Sequence, residues 1–143
     1  DRPASPGKDF WTAMFTLGGT WYPDPRKMWS ASLLSRYEIH SEKADSDVRP
    51  GDDLHFEWGV GKAFAGTWEA GVAGYCHWQT TDDKGSDVVW RSGDHDRVFA
   101  AGPEVAKFFP SWKVRFSLKY LREFEVRDRP EGSLWAFNIS KIF

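Results

Sequence analysis

Apolar and polar residues alternate one by one along almost the whole chain, and this constrains the fold more than any other feature. Trp11, Ala13, Phe15, Leu17, Gly19 and Trp21 alternate with Thr12, Met14, Thr16, Gly18 and Thr20. Successive side chains of a strand point to opposite faces, so a period of two predicts strands and leaves no room for a helix. The pattern returns over residues 29–39, 54–60, 68–78, 99–105, 112–120 and 135–143. Direct connections between these runs predict an all-β, antiparallel up-and-down meander of about seven or eight long strands.

The length of the runs narrows the class. At about 10–13 residues they exceed the soluble mode of roughly five or six. They match a tilted membrane strand of about 9–11 residues with some overhang. Trp11 and Trp21 stand on one face at opposite ends of one run, and Trp68 and Trp78 repeat the arrangement. At about 3.3 Å per residue and a tilt near 45°, each pair is roughly 23 Å apart along a barrel axis, close to the height of an outer-membrane apolar band. Trp11, Trp21, Trp29, Trp68, Trp78, Trp112 and Trp135 are therefore expected to form aromatic girdles. Core tryptophan explains any one of them but not the repeated spacing. Aromatics make up 17% of the chain, with Trp 9 and Phe 11 among 143 residues. No apolar run is long enough for a transmembrane helix. The net charge of -2 gives nucleic-acid binding no support, and the lone Cys76 cannot form an internal disulfide.

The connections also alternate. Those near Pro23-Asp24-Pro25-Arg26, Ala65-Gly66 and Phe109-Pro110-Ser111 are short. Those from His40 to Asp53 and from Thr80 to Asp94 are long and polar, and that from Glu125 to Gly132 is intermediate and charged. Outer-membrane barrels pair short periplasmic turns with longer extracellular loops in this way. Phe143 then ends the last strand on the periplasmic rim, and the first strand starts on the outer one. An odd strand count implies that at least one strand precedes Asp1, because single-chain bacterial barrels are even. Residues 1–143 are thus expected to be one β-barrel domain, the carboxy-terminal part of a longer barrel.

If the apolar face meets lipid, the opposite face lines the lumen. It carries Arg36, Glu38, His55, Glu57, Glu69, Tyr75, His77, Glu104, Lys113, Arg115 and Lys119. Such charges are costly in a dry core unless paired, and cheap in a watered lumen where they shape solute passage. A tight turn at Phe109-Pro110-Ser111 sets Arg115 about opposite Glu104. His55 and His77 are placed to meet on adjacent strands, as a polar lumen pair rather than a metal site, which would need further ligands. Asp45, Asp47, Asp52, Asp53, Asp82, Asp83 and Asp87 read as solvated loop acids. The Asn138-Ile139-Ser140 sequon lies within a strand and is discounted. The basic and aromatic residues interleaved over 112–120 lack a wider basic patch, so no nucleic-acid partner is expected. His40, His55, His77 and His95 show no Ser/His/Asp partner set in sequence, so no catalytic residue, metal or cofactor is expected.

From about Asp9 to Phe143 the chain resembles the outer-membrane transporter family named for the meta-pathway of phenol degradation. The resemblance is carried by Ser30-Ala31-Ser32 through Tyr37-Glu38-Ile39 and by Gly51-Asp52-Asp53-Leu54-His55-Phe56-Glu57-Trp58. Further on it is carried by Trp68 through Tyr75, Thr81-Asp82-Asp83, Arg97 through Val105, Ser117-Leu118-Lys119-Tyr120 and Glu123 through Gly132. It covers the later part of a family member. It implies a transmembrane barrel in the bacterial outer membrane, with lipid as its surroundings and a small hydrophobic or aromatic solute as its cargo. Trp135, Phe137, Ile139 and Phe143 also look like the terminal signal read by barrel-assembly machinery, with Lys141 where an aromatic is usual. The alternative is a soluble β-barrel that binds an apolar ligand inside. That protein would turn its aromatics inward and its charges outward.

Overall fold

The computed structural model describes residues 9–127 and 130–143. They form β1 (Thr12–Trp21), β2 (Trp29–His40), β3 (Asp53–Phe64), β4 (Trp68–Gln79), β5 (Arg97–Phe109), β6 (Val114–Arg127) and β7 (Ser133–Lys141). Each strand pairs antiparallel with its neighbour in sequence, giving one seven-stranded sheet in the order β1 to β7. No helix occurs among the described residues. The sheet curls into a half-barrel in which β1 and β7 are the two edges. Asp128 and Arg129, within the charged β6–β7 connection, lie outside the described residues.

The curl has a cause in the side chains of β5. Its inner face carries Val98, Ala100, Gly102, Glu104 and Ala106, and Val98, Ala100 and Ala106 are buried. Residues this short let side chains from β4 and β6 meet above them. Tyr75 on β4 donates its hydroxyl proton to Glu123 on β6 at 2.6 Å. Arg115 on β6 donates to Glu69 on β4 at 2.9 Å. Ala73, Ala100 and Leu121 form a small apolar cluster with Tyr75 against it. The Arg115–Glu69 pair is too exposed to contribute more than about 1 kcal/mol. Its effect is geometric, because it joins strands that are not neighbours and so fixes the concave side. Pro103 interrupts the same region. The β5–β6 ladder runs Ala101↔Arg122 and resumes at Glu104↔Lys119, across a residue with no N–H to give.

One rim carries the connections 22–28, 65–67 and 110–113, and the other carries 41–52 and 80–96. At the first short turn Asp24 accepts hydrogen bonds from the backbone N–H groups of Met28 and Trp29 at 2.9 and 2.8 Å. At the second, Ala65 and Gly66 both have positive φ, a conformation that only glycine adopts freely. The third differs from the expected tight turn. Trp112 N–H reaches Phe109 O and Lys113 N–H reaches Pro110 O, each at 3.2 Å. These successive turns move the β5–β6 register. Lys119, not Arg115, stands directly opposite Glu104. Lys113, expected on the inner face of a strand, sits exposed in the turn with φ 51°. Trp112 is likewise a turn residue, stacked on Phe109 with ring centres 5.6 Å apart.

Candidate functional site

Cross-strand pairing assigns every strand residue to a face. His55↔His77, Glu57↔Tyr75 and Ala63↔Glu69 fix one set on β3 and β4. The ladders to β2, β5 and β6 extend it to Arg36, Glu38, Glu104, Arg115 and Lys119. The bridges across β5 mark this set as concave. Every polar residue expected to face inward does so, except Lys113.

The opposite, convex face is apolar and open to its surroundings. Trp21, Trp29, Trp68 and Trp135 lie on it and are exposed, with Trp11 just before β1 and Trp112 in its turn. Trp78 is half-buried in a row of rings, Phe56, Trp78, Phe99 and Phe124, that crosses four strands at centroid spacings of 5.3–6.1 Å. Trp135 pairs with Tyr120, midway along β6. Phe137 and Ile139 are exposed on the same face, and Phe143 follows the last strand fully exposed. Gly74 has a packing reason. A Cβ there would stand 2.6 Å from the Trp58 ring, so only glycine lets that ring lie on the sheet.

A feature the alternation did not reveal lies on the short-turn rim. Lys62 sits 5.0 Å from the Trp29 ring centre, and Lys107 4.7 Å from that of Trp68 and 5.0 Å from that of Phe109. These lysines are on the convex face, each above an aromatic. Apolar stems along the rings with charged heads toward the rim are how lysine lies at a boundary between apolar and wet surroundings.

The concave face holds two basins. Toward the short turns, Glu57, Glu69, Glu104, Arg115 and Lys119 border a cavity of about 520 Å³. Arg115 lies 2.9 Å from Glu69 and 3.8 Å from Glu104, so it is shared between two carboxylates. Toward the long loops, a recess of about 700 Å³ is lined by Phe10, His40, His55, Tyr75, His77 and Trp90 among others. Its floor is a chain of polar side chains, joined in part by hydrogen bonds and in part by looser charge contacts. The Thr12 hydroxyl meets His40 Nδ1 at 2.9 Å, and His40 Nε2 meets Asp53 Oδ2 at 3.1 Å. His77 Nε2 lies 3.6 Å from Asp53 Oδ1. His77 Nδ1 lies 3.2 Å from a His55 ring nitrogen, and His55 Nε2 is 3.8 Å from Glu38 Oε2. A carboxylate only accepts, so His40 donates from Nε2, and the neutral ring then takes the Thr12 proton at Nδ1.

Two members of this cluster, His40 and Asp53, were not expected at the site. His40 closes β2 and Asp53 opens β3, so both fall where a strand meets a loop. Asp45, Asp47, Asp82 and Asp87 are exposed as expected of solvated loop acids, and several loop acids also bond across the loops. Asp47 accepts from Ser86 N–H at 2.8 Å, and Asp87 accepts from Asp47 N–H at 2.9 Å. Asp83 accepts from Gly51 N–H at 2.8 Å and from Trp90 Nε1 at 2.6 Å. Arg49 and Lys84 exchange backbone hydrogen bonds at 2.7 and 2.9 Å. The two long loops are thus clasped together beside the recess, with Val48 buried beneath them. The Ser86 bonds hold the Asp47 carboxyl below the ordinary aspartate range.

No curated protein and no solved structure matches the chain. The half-barrel with its two distinct faces agrees with the family that the sequence resembles. The model of the family described as "Putative MetA-pathway of phenol degradation" matches residues 1–139, and the chain belongs to that family.

Proposed function

We propose that this chain is wall and lining of an outer-membrane β-barrel that passes hydrophobic or aromatic small molecules, with no catalytic step. The observation that carries this is the polarity of the half-barrel. Its convex face exposes Phe15, Leu17, Trp21, Leu33, Val60, Val72, Phe137 and Ile139, while the Arg115 pairs with Glu69 and Glu104 lie on the concave one. Soluble monomers rarely expose a contiguous apolar surface of this extent. In a bilayer it is the face that meets lipid, and the lysine-capped aromatics mark a rim at the headgroups. A soluble barrel with an apolar interior requires the reverse arrangement.

Two observations support an aromatic solute. The family description names phenol degradation. The recess under the long loops places Phe10, Tyr75 and Trp90 beside polar groups, and its volume of about 700 Å³ falls in the range of small-ligand sites, about 300–1,000 Å³. Ring faces would hold an aromatic solute by stacking, and the carboxylates and imidazoles would hold a phenolic hydroxyl.

The test is uptake. Cells lacking the intact protein should accumulate a radiolabelled aromatic hydrocarbon more slowly, and the wild-type gene should restore the rate. Trp90→Ala should slow uptake of the aromatic but not of glycerol. Equal accumulation with and without the protein would reject the proposal.

A further inference from the structure

We infer that Asp53, His55 and His77 form a binding site for a divalent late transition-metal ion, with zinc the ion of choice. The site is on the concave face at the long-loop end, and its three potential ligand atoms all lie within 4.8 Å of one another.

The geometry argues for this in steps. His55 and His77 are direct cross-strand partners, and their rings approach at 4.3 Å with nitrogens 3.2 Å apart. At Zn–N distances of about 2.0–2.1 Å, two nitrogens on a tetrahedral ion stand about 3.3–3.4 Å apart. The rings therefore already hold nearly the spacing that the ion needs. Asp53 Oδ1 lies 3.6 Å from the other His77 nitrogen, Nε2, and with one nitrogen taken from each ring the three ligand atoms still lie within 4.8 Å of one another. Two imidazoles and a carboxylate with a remaining open position are a donor set that zinc uses when it also carries a water or a solute.

The surroundings are those of a supported site. The second oxygen of Asp53 accepts from His40 at 3.1 Å, and His40 is in turn fixed by Thr12 at 2.9 Å. Glu38 stands 3.8 Å from His55 Nε2. The hydrogen bond from His40 orients the Asp53 carboxylate, and Glu38 sets a second carboxylate beside His55. Asp53 and Glu38 together balance the two charges of the ion, while Arg36, the direct partner of His55 on β2, adds one positive charge. His95 and Asp82 provide an internal contrast. They form a close pair at 2.7 Å, but on an exposed loop and with no further ligand in reach among the described residues.

The experiment is a titration of the metal-free protein in detergent micelles with Zn²⁺, followed by calorimetry, and with Co²⁺, followed by visible absorption. Wild type should bind one equivalent of either ion, and cobalt should give the intense bands of a four- or five-coordinate site. His55→Gln and His77→Gln should each weaken binding by about a hundredfold, and His40→Gln by about tenfold. His95→Gln should change nothing. Absence of stoichiometric binding by wild type would overturn the inference. So would unchanged affinity in both ligand variants, or an equal loss in His95→Gln. The readout involves no transport, so its failure and that of the channel proposal are separable.

Discussion

Single residues at the ends of strands decide much of this structure, and Asp24 is the clearest. Its two carboxylate oxygens receive the N–H groups of Met28 and Trp29, which closes the first turn and delivers Trp29 to the convex rim. Those bonds favour the ionised form and hold its pKa below the ordinary 3.8, the Met28 bond most of all. A depressed carboxyl pKa contributes stability that is present above the unfolded value and is lost as pH falls through the folded one. The stabilisation of the turn should therefore be complete above about pH 3.8 and be lost progressively as pH falls below it through the lower folded-state value. Amide exchange at Met28 and Trp29 checks this: protection should fall with acid in wild type and be low at every pH in Asp24→Ala. Protection unchanged from pH 5 to 2 would refute it. Aspartate in a Pro-rich turn is readable from sequence as a turn-former. The partners of His40 and Asp53 are not. Each bonds across strands over a register that only the folded sheet sets, and both lie at the boundary where alternation gives way to loop.

At the scale of the element, β5 is the hinge of the curl. Alternation placed its residues on the correct faces, but did not show that small residues there let β4 and β6 touch. Ala100→Leu should crowd Tyr75 and Leu121, break the Tyr75–Glu123 bond and destabilise the sheet by about 1–3 kcal/mol. Thr16→Leu, at an exposed inner position of β1, should cost no more than about 0.5 kcal/mol. Urea unfolding in lipid vesicles compares them, and equal midpoints would remove β5 from its role. Face assignment has its own test. Val72 is near the middle of β4 on the convex side and Ser32 on the concave side of β2. Val72→Arg should cost about 2–4 kcal/mol in lipid and Ser32→Arg about 1 kcal/mol or less. Similar costs would mean that the convex face does not meet lipid. The faces, the meander and the two unequal rims were legible because each follows from a period of two and from connection length. The β5–β6 register was not, because the sequence Phe109-Pro110-Ser111 reads as a turn centre while the chain closes over residues 110–113. That displacement put Lys113 in the turn and Lys119 opposite Glu104.

The whole molecule divides its concave surface between an imidazole-rich end and a basin of fixed charges, and the basin carries the last prediction. Glu104 faces Lys119 directly across the ladder and lies 3.8 Å from Arg115, which Glu69 also engages from β4 at 2.9 Å. Directly opposed charges on a sheet contribute roughly 0.2–1 kcal/mol, so Glu104 matters little to stability. Its field matters more. Within a Debye length of about 8–10 Å at physiological salt, it offsets two cations that would otherwise present an uncompensated positive stripe to a passing ion. Glu104→Gln keeps the side chain's shape and removes one negative charge. In planar-bilayer recordings of the intact protein, it should shift the reversal potential in a salt gradient toward anions. Glu69→Gln should shift it the same way, since it frees Arg115. Both shifts should shrink at 1 M salt, where screening falls to about 3 Å. Unchanged selectivity in both variants would show that the basin lies off the conduction path.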